Sequence, residues 1–239
     1  EAVVRLVRGD VDAAILPIYI AAHVHNDGTP LRLSHVVYGD FLFVVEGPNA
    51  PRRLADPADL TDVPFLIGKR GGPLKIFPEM LLRRSGAAES ASPTGATAQQ
   101  ISRMLIAGRA DYGVLREPLV TLVLTRAPGS RRGLNLQDEW RRAFGGPMVQ
   151  AGIVFRRESI ESRPAAVRTL IGAIDAGYAW VHENPDRAGE AAEATVPGAQ
   201  RGITAEAIRS MSITARPAET ERDAVESFLK LLLEERPAM

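Results

Sequence analysis

The 239-residue sequence predicts an α/β protein of two lobes, on three observations. Short runs rich in β-branched or aromatic residues alternate with helical patterns, which implies strand–helix layers with largely parallel sheets. One corner, helix–Gly–x–x–Asp–strand–Pro, occurs twice. From Arg163 onward the pattern is helical throughout, as expected for a cover packed on one lobe.

The repeated corner reads "LVRGDVDAAILP" at residues 6–17 and "LIAGRADYGVLREP" at residues 105–118. Leu6 matches Leu105, Gly9 matches Gly108 and Asp12 matches Asp111, each pair 99 positions apart. The glycine ends a helix and reverses the chain, since without a Cβ it takes positive φ cheaply. The aspartate at the strand entry can accept neighbouring backbone N–H groups. The apolar run then reads as a strand buried on both faces, as parallel strands are. Helix–Gly–strand corners recur in many α/β proteins, so the pair alone leaves both duplication and chance recurrence open.

The other elements follow in order. "VDAAIL", "LRLSHVVY" and "FLFVVE" have the strand profile. Turn residues flank two of them, His25-Asn26-Asp27-Gly28 before one and Gly47-Pro48-Asn49 after the other. "VPFLIG" is a further buried-type strand, leading through Lys69-Arg70-Gly71-Gly72-Pro73 into the helix "KIFPEMLLRRSG", closed by Gly86. "ATAQQISRMLIAG" is helical, with Ile101, Met104 and Leu105 on one face, Thr97 placed as its cap and Gly108 past its end. "LVTLVL" and, after a polar stretch, "QAGIVF" continue the apolar runs, the second as one more strand. Val167, Leu170, Ile171, Ile174, Tyr178 and Val181 fall at amphipathic-helix spacing. Asn184-Pro185 supplies an N-cap and first-turn proline for the next helix, and the last helix carries Val225, Phe228, Leu229, Leu232 and Leu233.

Composition narrows the function. Lys+Arg and Asp+Glu are both 29, so the formal net charge is zero, and there is no basic stripe of the kind a nucleic-acid binder carries. No apolar run approaches the ~18 residues of a membrane span. There are no cysteines, which excludes disulfides and thiolate metal sites. The chain begins "EAVVRLVRGD", without a charged-then-apolar leader; a mature or truncated secreted protein would read the same way.

Three stretches carry a resemblance: "LVRGDVDAAILP", "GRADYGVLREPLVT" and "FRRESIESRPAAVRTLIGAIDAGYAWVHENPDRAGE". With them the chain resembles the substrate-binding proteins of nitrate/sulfonate/taurine-type ABC importers, a group that includes the thiamine-precursor binding proteins. The likeness runs from Val3 to about Pro237. It implies the type II periplasmic-binding-protein fold, with lobe one at residues 1–59 and 150–239 and lobe two at 60–149. The crossings would fall near Asn49–Thr61 and Gly146–Gln150. It also implies a monomeric, non-catalytic solute-binding component outside the cytoplasm, in the periplasm or on the outer face of the membrane. Its lobes would close on a small molecule, and the complex would dock on ABC permease subunits, with no cofactor and no nucleic-acid partner. Members of this group carry a strand, a helix and a second strand before the position of Glu1. That N-terminal strand–helix–strand is therefore expected to be missing from this chain, leaving apolar surface of lobe one exposed.

Site candidates follow from position and chemistry. Arg70, Gly71 and Gly72, with Lys69, sit between a strand and a helix, where backbone N–H groups and cations suit a sulfonate, phosphate or carboxylate. The Gly-Lys-Ser/Thr order of a P-loop is absent. Pro17 and Tyr19 follow the first corner and Glu117 the second, at the carboxyl ends of strands, where open α/β sheets bind ligands. Glu117 could equally pair with Arg116 or Arg126. Tyr38 and Gly39 end a strand near the first crossing; Tyr38 could contact ligand or pack. Thr97 and Gln150 are polar residues at lobe edges, and capping alone explains Thr97. His23 and His25 lie at i, i+2, which does not place them on one helical face, so no metal site is expected. His35 reads as a packed strand residue, and Trp140 and Trp180 as packing residues. No Ser/His/Asp order or carboxylate pair marks an enzyme. The alternatives are a dehydratase-like enzyme on the same fold and the ligand-sensing effector domain of a regulator. A thiamine-pyrimidine synthase would need a cysteine-rich motif that this chain lacks.

Overall fold

The computed structural model describes residues 1–69 and 71–235. Helix α1 (Ala2–Arg8), strand β1 (Ala13–Pro17), α2 (Ile18–Asn26) and β2 (Leu31–Tyr38) come first. Next are β3 (Leu42–Glu46), a 3-10 helix (Pro57–Asp62), β4 (Phe65–Gly68), α3 (Pro73–Arg84), β5 (Pro93–Ala96) and α4 (Ala98–Ile106). Then follow β6 (Tyr112–Arg116), α5 (Leu119–Arg126), β7 (Arg131–Asn135), α6 (Leu136–Phe144), β8 (Ala151–Arg156) and α7 (Arg157–Ser162). The chain continues through α8 (Pro164–Glu183), α9 (Pro185–Thr195), α10 (Arg201–Met211), β9 (Thr214–Pro217) and α11 (Arg222–Glu235).

Two compact units result. Unit one holds residues 1–39, 147–183 and the chain from Ser212; unit two holds Asp40–Gly146 and Asn184–Met211. This division differs from the expected one at two places. The first crossing falls at residues 39–40, upstream of Asn49–Thr61, because β3 hydrogen-bonds to β6 and β7. The α9–α10 pair joins unit two because α10 packs on α5.

Unit one has a four-stranded sheet in the order β1-β8-β2-β9. Every pair in it is antiparallel, which corrects the expectation of parallel strands. Strand β9 also corrects the expectation of a purely helical tail, since Thr214–Pro217 pairs with residues 35–38 of β2. Leu6, Leu16, Ala21, Val24, Leu31 and Val154 form a core under α1 and α2. The predicted apolar face of α8 is shallow: Val167 is buried, while Ile171, Ile174, Tyr178 and Val181 are half-buried and Leu170 is exposed. Trp180, expected to pack, is exposed as well. A polar contact also ties α8 to the sheet. Asp175 on α8 lies 3.1 Å from Nε2 of the buried His35, whose Nδ1 is 3.1 Å from the Ser34 hydroxyl.

Unit two has a five-stranded sheet in the order β5-β4-β6-β3-β7. Strands β5, β4 and β6 are parallel; β3 runs antiparallel to both of its neighbours. Phe43, Val45, Leu66, Ile101, Leu105, Leu115, Val120 and Val123 make one core cluster against α4 and α5. "LVTLVL" is helical, buried through Val120 and Val123. The stretch read only as polar contains β7 and α6, and Asn135 caps α6 through the Gln137 N–H at 3.0 Å. Trp140 of α6 meets Phe77 of α3 edge-on at 5.4 Å, which bears out its packing role. Adjacent arginines of β7 hold two buried carboxylates. Arg131 pairs with Glu46 at 2.9 Å and Arg132 with Glu117 at 2.7 Å.

The two corners have the same backbone. Gly9 donates to Leu6 O (3.2 Å) and Asp10 to Arg5 O (2.9 Å); Gly108 donates to Leu105 O (3.0 Å) and Arg109 to Met104 O (2.9 Å). Both glycines are left-handed, φ 82° and 64°, the helix-ending turn that favours glycine. The aspartates do not work as expected. Their backbone carbonyls accept the cross-strand bonds, from Arg156 N at 2.9 Å for Asp12 and from Gly47 N at 2.6 Å for Asp111. The Asp12 carboxylate instead accepts the Ser159 hydroxyl at 2.7 Å and pairs with Arg163.

Candidate functional site

The parallel strands β5, β4 and β6 end at Ala96, Gly68 and Arg116, and these three residues line one cavity of about 700 Å³. Lys69, Gly72, Pro73, Leu74, Thr97, Gln99 and Gln100 complete the part of the wall that matters chemically. Lys69 N donates to Ala96 O at 2.9 Å, tying the β4 and β5 ends together. Gly68 is required by close packing, because a Cβ there would lie 2.9 Å from the Leu74 Cβ. Helices α3 and α4 both begin at this wall, and their N-termini carry partial positive charge. The α4 start is closed by its own capping box: Thr97 Oγ1 accepts Gln100 N at 3.2 Å and Gln100 Oε1 accepts Thr97 N at 2.9 Å. Helix α3 starts at Gly72 without any side-chain cap. Among the described residues two cations and no carboxylate line the cavity, and no carboxylate is within ion-pair distance of Lys69 or Arg116. Chemically such a lining suits an anion at the carboxyl edge of a parallel sheet.

The sequence-predicted residues divide by unit. In unit two, Gly72 and Thr97 line the cavity. Gly71 adjoins Gly72, and a Cβ on it would meet nothing within 4 Å. Arg70 lies outside the described residues. Glu117 is turned inward. Its carboxylate is fully buried and accepts Thr121 N at 3.0 Å and Arg132 Nη2 at 2.7 Å, so it holds β7 to the start of α5. Its partner is neither Arg116 nor Arg126, the pairings that sequence offered.

In unit one, Pro17 and Gln150 meet at the end of the β1–β8 pair, where Ile18 N donates to Gln150 O at 3.2 Å. Tyr19 is half-buried, and desolvation raises its phenol above the ordinary tyrosine range. No hydrogen bond to its hydroxyl is formed among the described residues. Tyr38 is committed elsewhere. Its hydroxyl donates to Glu221 at 2.6 Å, and Arg216 lies over its ring at 5.4 Å. Burial first, then the bond to Glu221, pushes its phenol far up. Gly39 follows it directly at the end of unit one.

Sequence reading placed Lys69 in the expected anion loop but missed Arg116 as a cavity residue. The signal for Arg116 was present, since it ends an apolar strand run. It also missed the Ser34–His35–Asp175 string, whose third member is 140 positions from the second. That string is structural: the Ser34 hydroxyl lies within β2 and donates to Ile153 O at 3.1 Å. His25 accepts the Leu31 N–H on Nδ1 at 3.1 Å, and His23 pairs with Asp27 at 3.2 Å, so both are engaged locally.

No protein-family model matches the chain, and no curated protein matches it in sequence. Solved structures do match in shape. An ABC transporter protein from Parabacteroides distasonis is 22% identical, with a TM-score of 0.78 over 99% of this chain and 79% of that one. The periplasmic aliphatic sulphonate binding protein SsuA from Escherichia coli is 17% identical, with a TM-score of 0.75 over 97% and 73%. The desulfurization enzyme DSZB is 13% identical, with a TM-score of 0.61 over 93% and 78%. The chain therefore has the α/β fold of periplasmic ABC-importer binding proteins, the fold that its sequence resemblance implied.

Proposed function

We propose that the protein is the solute-binding component of an ABC importer and captures a small organic anion or oxyanion without catalysis. The observation that supports this most directly is the cavity at the β5, β4 and β6 ends, lined by Lys69 and Arg116 and, among the described residues, by no acid. The fold supports it in general terms, since Escherichia coli SsuA is a periplasmic sulphonate-binding protein. On this reading Gly71, Gly72 and Thr97 contribute beside Lys69 and Arg116 within unit two. The partner is a membrane permease, and the protein works outside the cytoplasm. No helix among the described residues is long and apolar enough to cross a membrane.

A thermal-shift screen of sulfonates, nitrate, pyrimidines and small carboxylates tests the proposal. A ligand at 100 times its Kd stabilises by about 2.7 kcal/mol, which raises Tm by several degrees in a chain of this size. The expected outcome is such a shift for an anion, with the ligand recovered unchanged. The second reading is an enzyme, favoured by the fold shared with DSZB. Turnover of any hit would establish it and overturn the first.

A further inference from the structure

The charge balance of the cavity restricts the ligand beyond "an anion". Elsewhere in unit two, deeply buried carboxylates have cationic partners: Glu46 with Arg131, Glu117 with Arg132 and Glu139 with Arg142. The cavity reverses this arrangement. Lys69 and Arg116 face it from the ends of two adjacent parallel strands, and its other side chains among the described residues are neutral. The nearest acid in sequence, Glu117, is turned away and saturated by Arg132 and Thr121. A ligand with one negative charge would leave one of the two cations uncompensated.

We propose that this cavity selects a dianionic head group, such as a phosphate monoester or phosphonate, over a monoanionic sulfonate of the same size. This rests on the binding-protein reading above. Arg116 offers a planar fork for two oxygens, Lys69 a point charge, and the Gln99 amide a neutral donor for the remaining oxygen. A tetrahedral dianion has an acceptor for each of them. Among the described residues no histidine lines the cavity, so proton linkage near neutral pH comes from the ligand itself.

The probes are phenyl phosphate and benzenesulfonate, titrated calorimetrically into the whole chain at pH 5 and pH 7.5. The second ionisation of a phosphate monoester lies near pH ~6. Phenyl phosphate should therefore bind about tenfold more tightly at pH 7.5 than at pH 5, and benzenesulfonate equally at both, since one added charge-assisted contact is worth roughly tenfold. At pH 7.5 Lys69→Gln and Arg116→Gln should each weaken phenyl phosphate about tenfold and narrow its lead over benzenesulfonate. Arg53→Gln, an exposed cation outside the cavity, should change neither. Equal affinity for the two probes, or a flat pH profile for phenyl phosphate, overturns the dianion assignment and leaves the binding-protein reading standing. Binding of neither probe, together with an empty thermal-shift screen, overturns both.

Discussion

The corner at Gly9 and the corner at Gly108 share a backbone but not an environment. After the first, β1 lies at the edge of its sheet, paired among the described residues only with β8. After the second, β6 lies between β4 and β3. The matched residues Ile15 and Val114 are 60% and 0% exposed. The same local instruction therefore yields a half-exposed strand in one unit and a buried one in the other. Local sequence sets the turn, and the neighbouring strands set the burial. A second difference follows directly. Position 18 is a buried isoleucine, whereas its counterpart at 117 is a buried glutamate that needs Arg132.

That last contrast should give the largest effect. Arg132→Met leaves the Glu117 carboxylate buried without its cation, and a loss of about 3–5 kcal/mol is expected from urea denaturation. A loss under 1 kcal/mol would mean that the pair is not what holds the second corner. Next come the strands. Leu16→Ala and Leu115→Ala remove equivalent buried side chains and should each cost about 2–5 kcal/mol. Val114→Ala should cost about 2 kcal/mol and Ile15→Ala less than about 0.5, so the ratio of those two losses measures the difference in burial. Equal losses would erase the contrast. The glycines should behave alike: Gly9→Ala and Gly108→Ala each force an L-residue into the left-handed region, for about 1–2 kcal/mol. The smallest effect separates the aspartates. Asp12→Ala breaks an exposed pair with Arg163 and takes the acceptor from the buried Ser159 hydroxyl, for about 1 kcal/mol of which only the ion-pair part shrinks at high salt, whereas Asp111→Ala should be silent.

What was legible in the sequence was what is encoded over a few residues. The glycine-closed corners, the Thr97 cap and the α3 and α4 faces all depend on contacts within one or two turns. The exposure of Ile15 was not legible, because it depends on the absence of a second neighbour for β1 among the described residues. Nor were the roles of Glu46 and Glu117 legible, since their partners stand 85 and 15 positions away. Strand β7 was hidden for the same reason: "RRGLN" reads as polar until its arginines find buried carboxylates. At the candidate site, the strand-to-helix loop pointed to Gly72 and the lobe-edge position to Thr97, while Tyr38 and Glu117 are engaged by Glu221 and Arg132. Both partners come from elements that lay outside the sequence motifs.

The neighbouring arginines of β7 have a consequence for how the sheet of unit two assembles. Consecutive strand residues point to opposite faces, so a slip of one position would carry each guanidinium to the side its carboxylate does not occupy. Hydrophobic side chains tolerate such an exchange more readily than two buried acids do. Arg131 and Arg132 therefore act as a two-pin key that favours the alignment of β7 beside β3 in which Glu46 and Glu117 are seated together.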